Sequence, residues 1–461
     1  MTPCFLRYLG ATLIAGLLAA CGGGGGDAAA GLAPVPAPAP APAPADPPSS
    51  GGGGLAADVI VQLRPGVDIA TVAAGFGLGV ADQFGRRPIW RLRAAAGTDI
   101  AALIVALQAD VRVQFAERNV ESETPEGRRR TVWAAGGDAG SYGTQWAPAA
   151  LRLADAQALS TGSGIRVAVL DTGIDLAHPV LAPRLARNGA GAVLGRDFVD
   201  DDAVPAEAGS LSDAGWGHGT HVAGLVALAA PGATLMPARV LDAQGRGNAW
   251  VLSEALLWAV DPDGNPATDD GAHVINLSLG TTQPTRLLRT AVTLADCDFD
   301  DDDDEFSDPG FDDDKARCAA KHAAVVMAAA GNAGNDTELQ YPAAEQVPGS
   351  MAVTASNAAG TLAPFANRGS WVEIAAPGDA VVSTFPGGGY AIWSGTSMAS
   401  PLAAGTAALV LATFGNPRDV VPVDITARLA ARSANLCGTT LRQVDALGAV
   451  SGVDPPARAC P

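Results

Sequence analysis

Residues 164–173 read GIRVAVLDTG. A strand with one face in water alternates apolar and polar side chains, and the run Val167-Ala168-Val169-Leu170 does not. Its length and continuity read as a strand buried on both faces, which requires helices above and below. The same pattern recurs in HVINLSLG (273–280), AAVVMAAAGN (323–332) and SMAVTAS (350–356). Between these runs lie helical stretches such as HVAGLVALAA (221–230) and VLSEALLWAV (251–260). Strands alternating with helices predict an α/β domain of three layers around a mainly parallel sheet, from residue 145 to 461. Ligands of such sheets bind beyond the carboxyl ends of the strands, so Asp171, closing the first run, draws attention.

Two other polar residues sit where helices begin. His218 lies in GWGHGTHVAG and Ser397 in GTSMASP, each bordered by glycine, which lets backbone approach a substrate closely. Ser397 by itself also reads as a helix cap before an Ala-rich run. A hydroxyl becomes a nucleophile when a base takes its proton and a carboxylate orients that base. The helix N-terminus at Ser397 adds partial positive charge where an oxyanion would form. Spacing alone does not bring the three together.

In this order, VAVLDTGID (167–175), HGTHVAG (218–224), AAAGN (328–332) and SGTSMASP (394–401) resemble the signatures of the subtilisin-like serine proteases, peptidase family S8. The chain order Asp, His, Ser agrees with that family and differs from the chymotrypsin and α/β-hydrolase orders. The resemblance implies that Asp171 orients His218, His218 deprotonates Ser397, and the Asn332 amide with the Ser397 N–H holds the oxyanion. It assigns the acid to the first Asp of DTGID rather than to Asp175, and leaves His221 structural. Ser278, Leu279 and Gly280 would pair with an extended substrate. The small Ala329, Ala330 and Gly331 would leave a roomy apolar pocket, so cleavage after large hydrophobic residues is expected. The implied activity is serine endopeptidase; the rival from another class is an inactive protease-like lipoprotein that binds peptides without cutting them. No cofactor is required for the chemistry. Many family members carry a calcium-binding acid after DTGIDLAHP, where this chain has Val180.

Residues 55–123 read as strand, helix, strand, helix, strand, a small α+β unit resembling the ferredoxin-like propeptide that precedes such proteases and inhibits them until removed. Residues 124–144 read as an exposed, cleavable connector, with the mature chain starting within 120–145. Ahead of them, residues 1–20 carry one positive charge and an apolar run from Leu9 to Ala20, the pattern of an export signal. Leu18-Ala19-Ala20-Cys21 resembles a lipobox, which would make Cys21 a lipid anchor. Residues 21–54, rich in Gly and Pro-Ala repeats, form a tether. The expected protein is exported, either surface-tethered or released, and monomeric, with polypeptide substrates and its own propeptide as partners.

The net charge is −19, and residues 296–314 hold twelve acidic and no basic side chains. That balance excludes nucleic-acid binding, which needs clustered Lys and Arg. The acidic stretch, an insert over 296–318, has two readings: a calcium loop using Asp296, Asp298 and Asp300, or a solvated loop closed by a disulfide. It lacks the Gly and Glu spacing of an EF-hand. Cys297, Cys318, Cys437 and Cys460 allow three pairings, of which Cys297–Cys318 with Cys437–Cys460 is the simplest.

Overall fold

The computed structural model describes residues 55–128, 134–299, 306–457 and 460. The export segment, Cys21 and the tether therefore lie outside the described residues, as does Asp300. Nine strands form the main sheet, in the order Ala434–Asn435, Arg442–Gln443, Ile374–Pro377, Ser350–Ser356, Val325–Ala329, Val274–Leu277, Arg166–Asp171, Thr234–Arg239, Arg196–Asp197. Every neighbouring pair is parallel except the terminal Ala434–Asn435 with Arg442–Gln443. Along Arg166–Asp171, Val167 and Val169 enter one apolar cluster while Ala168 and Leu170 enter the other. This is the two-residue period of a strand buried on both sides, and it explains the missing alternation.

On the first face lie the helices His218–Ala229 and Thr396–Leu411. All of Thr396–Leu411 is buried, which suits its small and apolar composition. Gly405 lets the two helices close on each other, because a Cβ there would stand 2.5 Å from the Ala229 Cβ. On the second face lie Ala249–Val260 and Arg286–Asp296, capped by Asn248 and Thr285 respectively.

The N-terminal unit is a β-α-β-β-α-β fold. Its antiparallel sheet runs Gly79–Gln83, Ile89–Arg93, Asp58–Leu63, Val113–Arg118. Asp68 and Asp99 cap its helices Ile69–Phe76 and Ile100–Gln108. Strand Gly79–Gln83 is absent from the sequence expectation. It is a largely exposed edge whose residues, Gly-Val-Ala-Asp-Gln, carry no apolar alternation to read.

Strand Asp58–Leu63 is buried along its whole length. Val59, Val61 and Leu63 pack on the unit's own helices, while Ile60, with Phe84, Ile89 and Phe115, joins the second-face core of the large sheet. The small sheet thus sits on the helices Ala249–Val260 and Arg286–Asp296. It also caps them: Glu117 accepts the N–H groups of Arg286 (2.8 Å) and Leu287 (3.0 Å), and Asn119 accepts that of Trp250 (3.1 Å).

The start of the connector departs from expectation: Thr124 is buried, continuing from the strand Glu121–Glu123 that lies against Arg246–Asn248, where backbone edges take up the chain. Residues 134–140 are exposed. From Ala134 the chain belongs to the large unit: Ala134–Ala135 pairs with Ala391–Ile392, and the Tyr142 hydroxyl donates to the Gly224 carbonyl at 2.7 Å. Disulfides join Cys297 to Cys318 and Cys437 to Cys460. Among the described residues no helix is long and apolar enough to cross a membrane.

Candidate active site

Asp171 ends the strand whose neighbours, Thr234–Arg239 and Val274–Leu277, leave on opposite sides. A crevice at such a switch point is where a doubly wound sheet receives ligands. His218 opens its helix through Gly217, at φ 87°, a left-handed conformation that favours glycine. A Cβ at Gly217 would also meet the Phe385 ring at 2.4 Å. The buried Asp171 Oδ1 lies 2.7 Å from His218 Nδ1 and accepts the Thr172 N–H at 2.8 Å.

Ser397 is the second residue of its helix. Four residues on, Pro401 has no N–H to offer the Ser397 carbonyl. That carbonyl is satisfied by the Ser278 hydroxyl at 2.9 Å, and Asn276 donates to the same hydroxyl at 3.0 Å while accepting from Ser400 at 2.8 Å. The helix start is thereby pinned to the sheet edge.

Ser397, His218 and Asn332 meet at one carboxylate, that of Glu126. Its Oε2 accepts the Ser397 hydroxyl at 2.7 Å and lies 3.3 Å from His218 Nε2, while its Oε1 accepts the Asn332 amide at 2.9 Å. The Asn332 orientation is set from behind, since its Oδ1 accepts both the N–H (2.9 Å) and the hydroxyl (3.0 Å) of Thr396. Burial disfavours a charged His218, but the flanking Asp171 and Glu126 outweigh it and lift the imidazole to about 10. Burial likewise opposes the Glu126 charge, yet hydrogen bonding to His218, the imidazolium charge, Ser397 and Asn332 hold its carboxyl below the ordinary range. The centre is a row of alternating charge, Asp171, His218, Glu126.

Upstream of Glu126 the chain lies across the edge singled out in the sequence, Ser278–Gly280, and across a second at Gly245. Glu123 exchanges two backbone bonds with Gly280 (2.9 and 3.0 Å), and the Thr124 N–H donates to Gly245 at 3.1 Å. Ser278 and Leu279 are buried, as are Ala329 and Ala330, and the Gly331 N–H is tied to Thr396 at 3.0 Å. His221 stands apart. It stacks on Trp393, and burial, then the nearby His218 charge, push it down to about 3. Asp175 accepts the N–H groups of Gly387 and Gly388.

Sequence reasoning missed two acids. Glu126 carried no motif. Glu207 accepts the hydroxyls of Thr172 and Thr220 (both 2.7 Å) and the Thr220 N–H (3.2 Å), tying the turn after Asp171 to the first turn of the His218 helix. Burial pushes Glu207 up to about 7. The carboxylate of Asp296, expected as a calcium ligand, is turned inward: its two oxygens accept the N–H groups of Asp298 (3.0 Å) and Gly349 (3.1 Å). Among the described residues the carboxylates that gather are Asp261, Asp263 and Asp270, within 4.8 Å of one another on a loop away from this centre.

A hydroxyl at a helix N-terminus, beside an imidazole braced by a carboxylate and an amide aimed at negative charge, defines a centre suited to serine-type acyl transfer on a doubly wound sheet. The subtilase family model matches residues 162–446, and the chain belongs to that family: it is a subtilisin-like serine endopeptidase. It is 34% identical over 276 residues to thermitase of Thermoactinomyces vulgaris, covering 58% of this chain and 81% of that one. It is 38% identical over 259 residues to subtilisin BL of Lederbergia lenta, covering 54% and 77%. The thermophilic serine proteinase of Bacillus sp. strain AK1 is 33% identical over 323 residues, 68% of this chain and 66% of that protein. In fold, the chain is similar to the crystal structure of fervidolysin from Fervidobacterium pennivorans, with a TM-score of 0.62 at 23% identity over 87% of this chain and 61% of that one.

Proposed function

We propose that this chain is an exported endopeptidase precursor whose catalytic groups are Asp171, His218, Ser397 and Asn332, and that residues 55–126 inhibit it until they are removed. The observation that carries the reading is the shared Glu126 oxygen: hydroxyl and imidazole converge on it while Asn332 takes its partner oxygen. A carboxylate so held occupies the place of an acyl group leaving the site as product.

With a substrate there instead, His218 Nε2 takes the Ser397 proton as Oγ attacks the carbonyl carbon. Asp171 stabilises the imidazolium, and the Asn332 amide and the Ser397 N–H receive the negative oxygen. The imidazolium then protonates the leaving amine, and water repeats the sequence on the acyl-enzyme. Substrates would lie where Glu121–Thr124 lies, between Ser278–Gly280 and Gly245–Gly247, held by backbone bonds that read little sequence. The small Ala329-Ala330-Gly331 segment favours large apolar residues before the scissile bond; a peptide panel showing strict Lys or Arg preference would refute this.

In the precursor a side chain, not a peptide carbonyl, faces Asn332, so the bond after Glu126 is not presented for attack. The pairing of Ala134–Ala135 with Ala391–Ile392 supports a cut before Ala134. Cys21 is proposed as the lipidated residue, on its lipobox-like context alone. The test is a fluorophosphonate probe. It should label Ser397 of the processed enzyme and fail on Ser397→Ala, which should also accumulate the longer chain by mass spectrometry. Absent labelling of intact Ser397 in processed protein would end the reading.

A further inference from the structure

The acidic insert has no part in the chemistry above, yet it is built with care. Disulfide Cys297–Cys318 closes it, Asp308 caps the turn Pro309–Phe311, and helix Asp312–Ala319 begins with three acids. Against it stands the turn between strands Gly79–Gln83 and Ile89–Arg93 of the N-terminal unit, Phe84-Gly85-Arg86-Arg87-Pro88.

Arg87 meets Asp314 through two parallel bonds, Nε to Oδ2 at 2.8 Å and Nη2 to Oδ1 at 2.6 Å, with the side chains only 15% and 3% exposed. Such a fork-on-carboxylate contact is directional as well as strong. Arg86 pairs with Asp313 at 3.0 Å, but at 81% and 46% exposure solvent screens it. Gly310 makes the approach possible, since a Cβ there would stand 2.6 Å from the Arg86 carbonyl. Beneath the charges, Phe84 and Phe311 are buried in one apolar cluster, with Phe84 edge-on to Trp250 and Phe311 to Phe306. A buried charge pair over an aromatic floor is the anatomy of an interface centre.

We propose that the disulfide-closed insert is a docking arm for the chain's own N-terminal unit: it recognises the Arg86–Arg87 turn and keeps that unit on the cleft after the backbone is cut. This rests on the inhibitor reading above and adds to it the element that sets retention. Among the described residues, the cation that would remain beside Asp314 without the unit is Arg317, 3.9 Å away.

The experiment measures the rate at which a fluorophosphonate labels Ser397 in the whole protein, cut or uncut. Arg87→Ala should raise it on the order of 30-fold or more, the usual consequence of truncating a buried charge pair. Arg86→Ala should change it by less than about threefold, as for an exposed pair. Asp314→Ala combined with Arg87→Ala should be no faster than the faster single variant, since both remove one contact. If Arg87→Ala labels at the parent rate while Glu126→Ala is fast, the docking arm is refuted and the inhibitor reading stands. If neither variant is faster, both fall. Because Arg87 lies outside the catalytic unit, its result does not depend on Asp314→Ala folding.

Discussion

Replacing Glu126 tests the proposed inhibition most directly. Its carboxylate is 15% exposed and serves Ser397, Asn332 and His218 at 2.7, 2.9 and 3.3 Å. Hydrogen bonds to a charged group contribute about 1.5–3 kcal/mol each. The two hydrogen bonds and the ion pair to His218 share one anion, so they do not add. Breaking a buried ion pair costs about 3–5 kcal/mol, which bounds the loss for Glu126→Ala. That corresponds to a roughly 10²–10⁴-fold rise in the open fraction of the site.

The assay is fluorophosphonate labelling of Ser397 in chains confirmed as uncut by mass. A small probe needs only the space Glu126 vacates, whereas a polypeptide still meets Glu121–Thr124 in the cleft. Labelling should therefore accelerate far more than polypeptide hydrolysis. The pH profile follows from the signs. The Glu126 carboxyl is held low, so its contribution is present above the ordinary carboxylate range and lost as pH falls through the depressed value. His218 is raised to about 10, so its contribution is present below its unperturbed value and lost as pH rises through about 10. The parent should be latent across neutral pH, and its labelling should rise as pH climbs through about 10, where a neutral His218 can take the Ser397 proton; Glu126→Gln should flatten that rise. Parent-like labelling by Glu126→Ala would refute the reasoning.

Asn332→Ala should lower kcat by on the order of 10²–10³ with little change in KM, the loss recorded for the oxyanion asparagine of subtilisin; an equal rise in KM would point to binding instead. Glu207→Gln should keep the fold by circular dichroism yet remove a component near pH 7 from the pH–rate profile, because burial raises Glu207 to about 7 where it ties the Asp171 turn to the His218 helix. Stability has the opposite sign to the usual acid: the Glu207 contribution is present below the unfolded carboxyl value and lost as pH rises through about 7. An unchanged profile would make Glu207 irrelevant to the triad. Gly405→Ala should lower the melting temperature by several degrees, since a Cβ 2.5 Å from Ala229 forces apart the helices bearing His218 and Ser397 and overpacking costs about 1–3 kcal/mol; an unshifted melting temperature would show that they can move freely.

Much of the large unit was legible because its signals are local. Unbroken apolar runs marked strands buried on both faces, and the glycines bordering His218, Gly217 and Gly219, marked backbone made for close approach. The edge strand Gly79–Gln83 was illegible because exposed residues need no pattern. The segment Thr124–Glu126 was misread because its Glu and Thr look solvated until two sheet edges and an imidazole surround them. The sequence left the acidic stretch with two readings for the converse reason: alternating acids resemble a calcium loop, and only the fold turns Asp296 inward onto backbone N–H groups.

By itself the sequence determined the strand–helix alternation, the polar residues at element ends and the family to which they belong. Periodicity and backbone chemistry act over a few residues, and those are written in the order of the chain. Only the tertiary structure decided that Glu126 stands between Ser397 and His218, that Glu207 ties two threonines behind them, and that Arg87 grips Asp314. A carboxylate exposed in one context is a buried, charge-paired group in another. Which of these it becomes depends on partners brought near by packing, from 13 to 271 residues away along the chain.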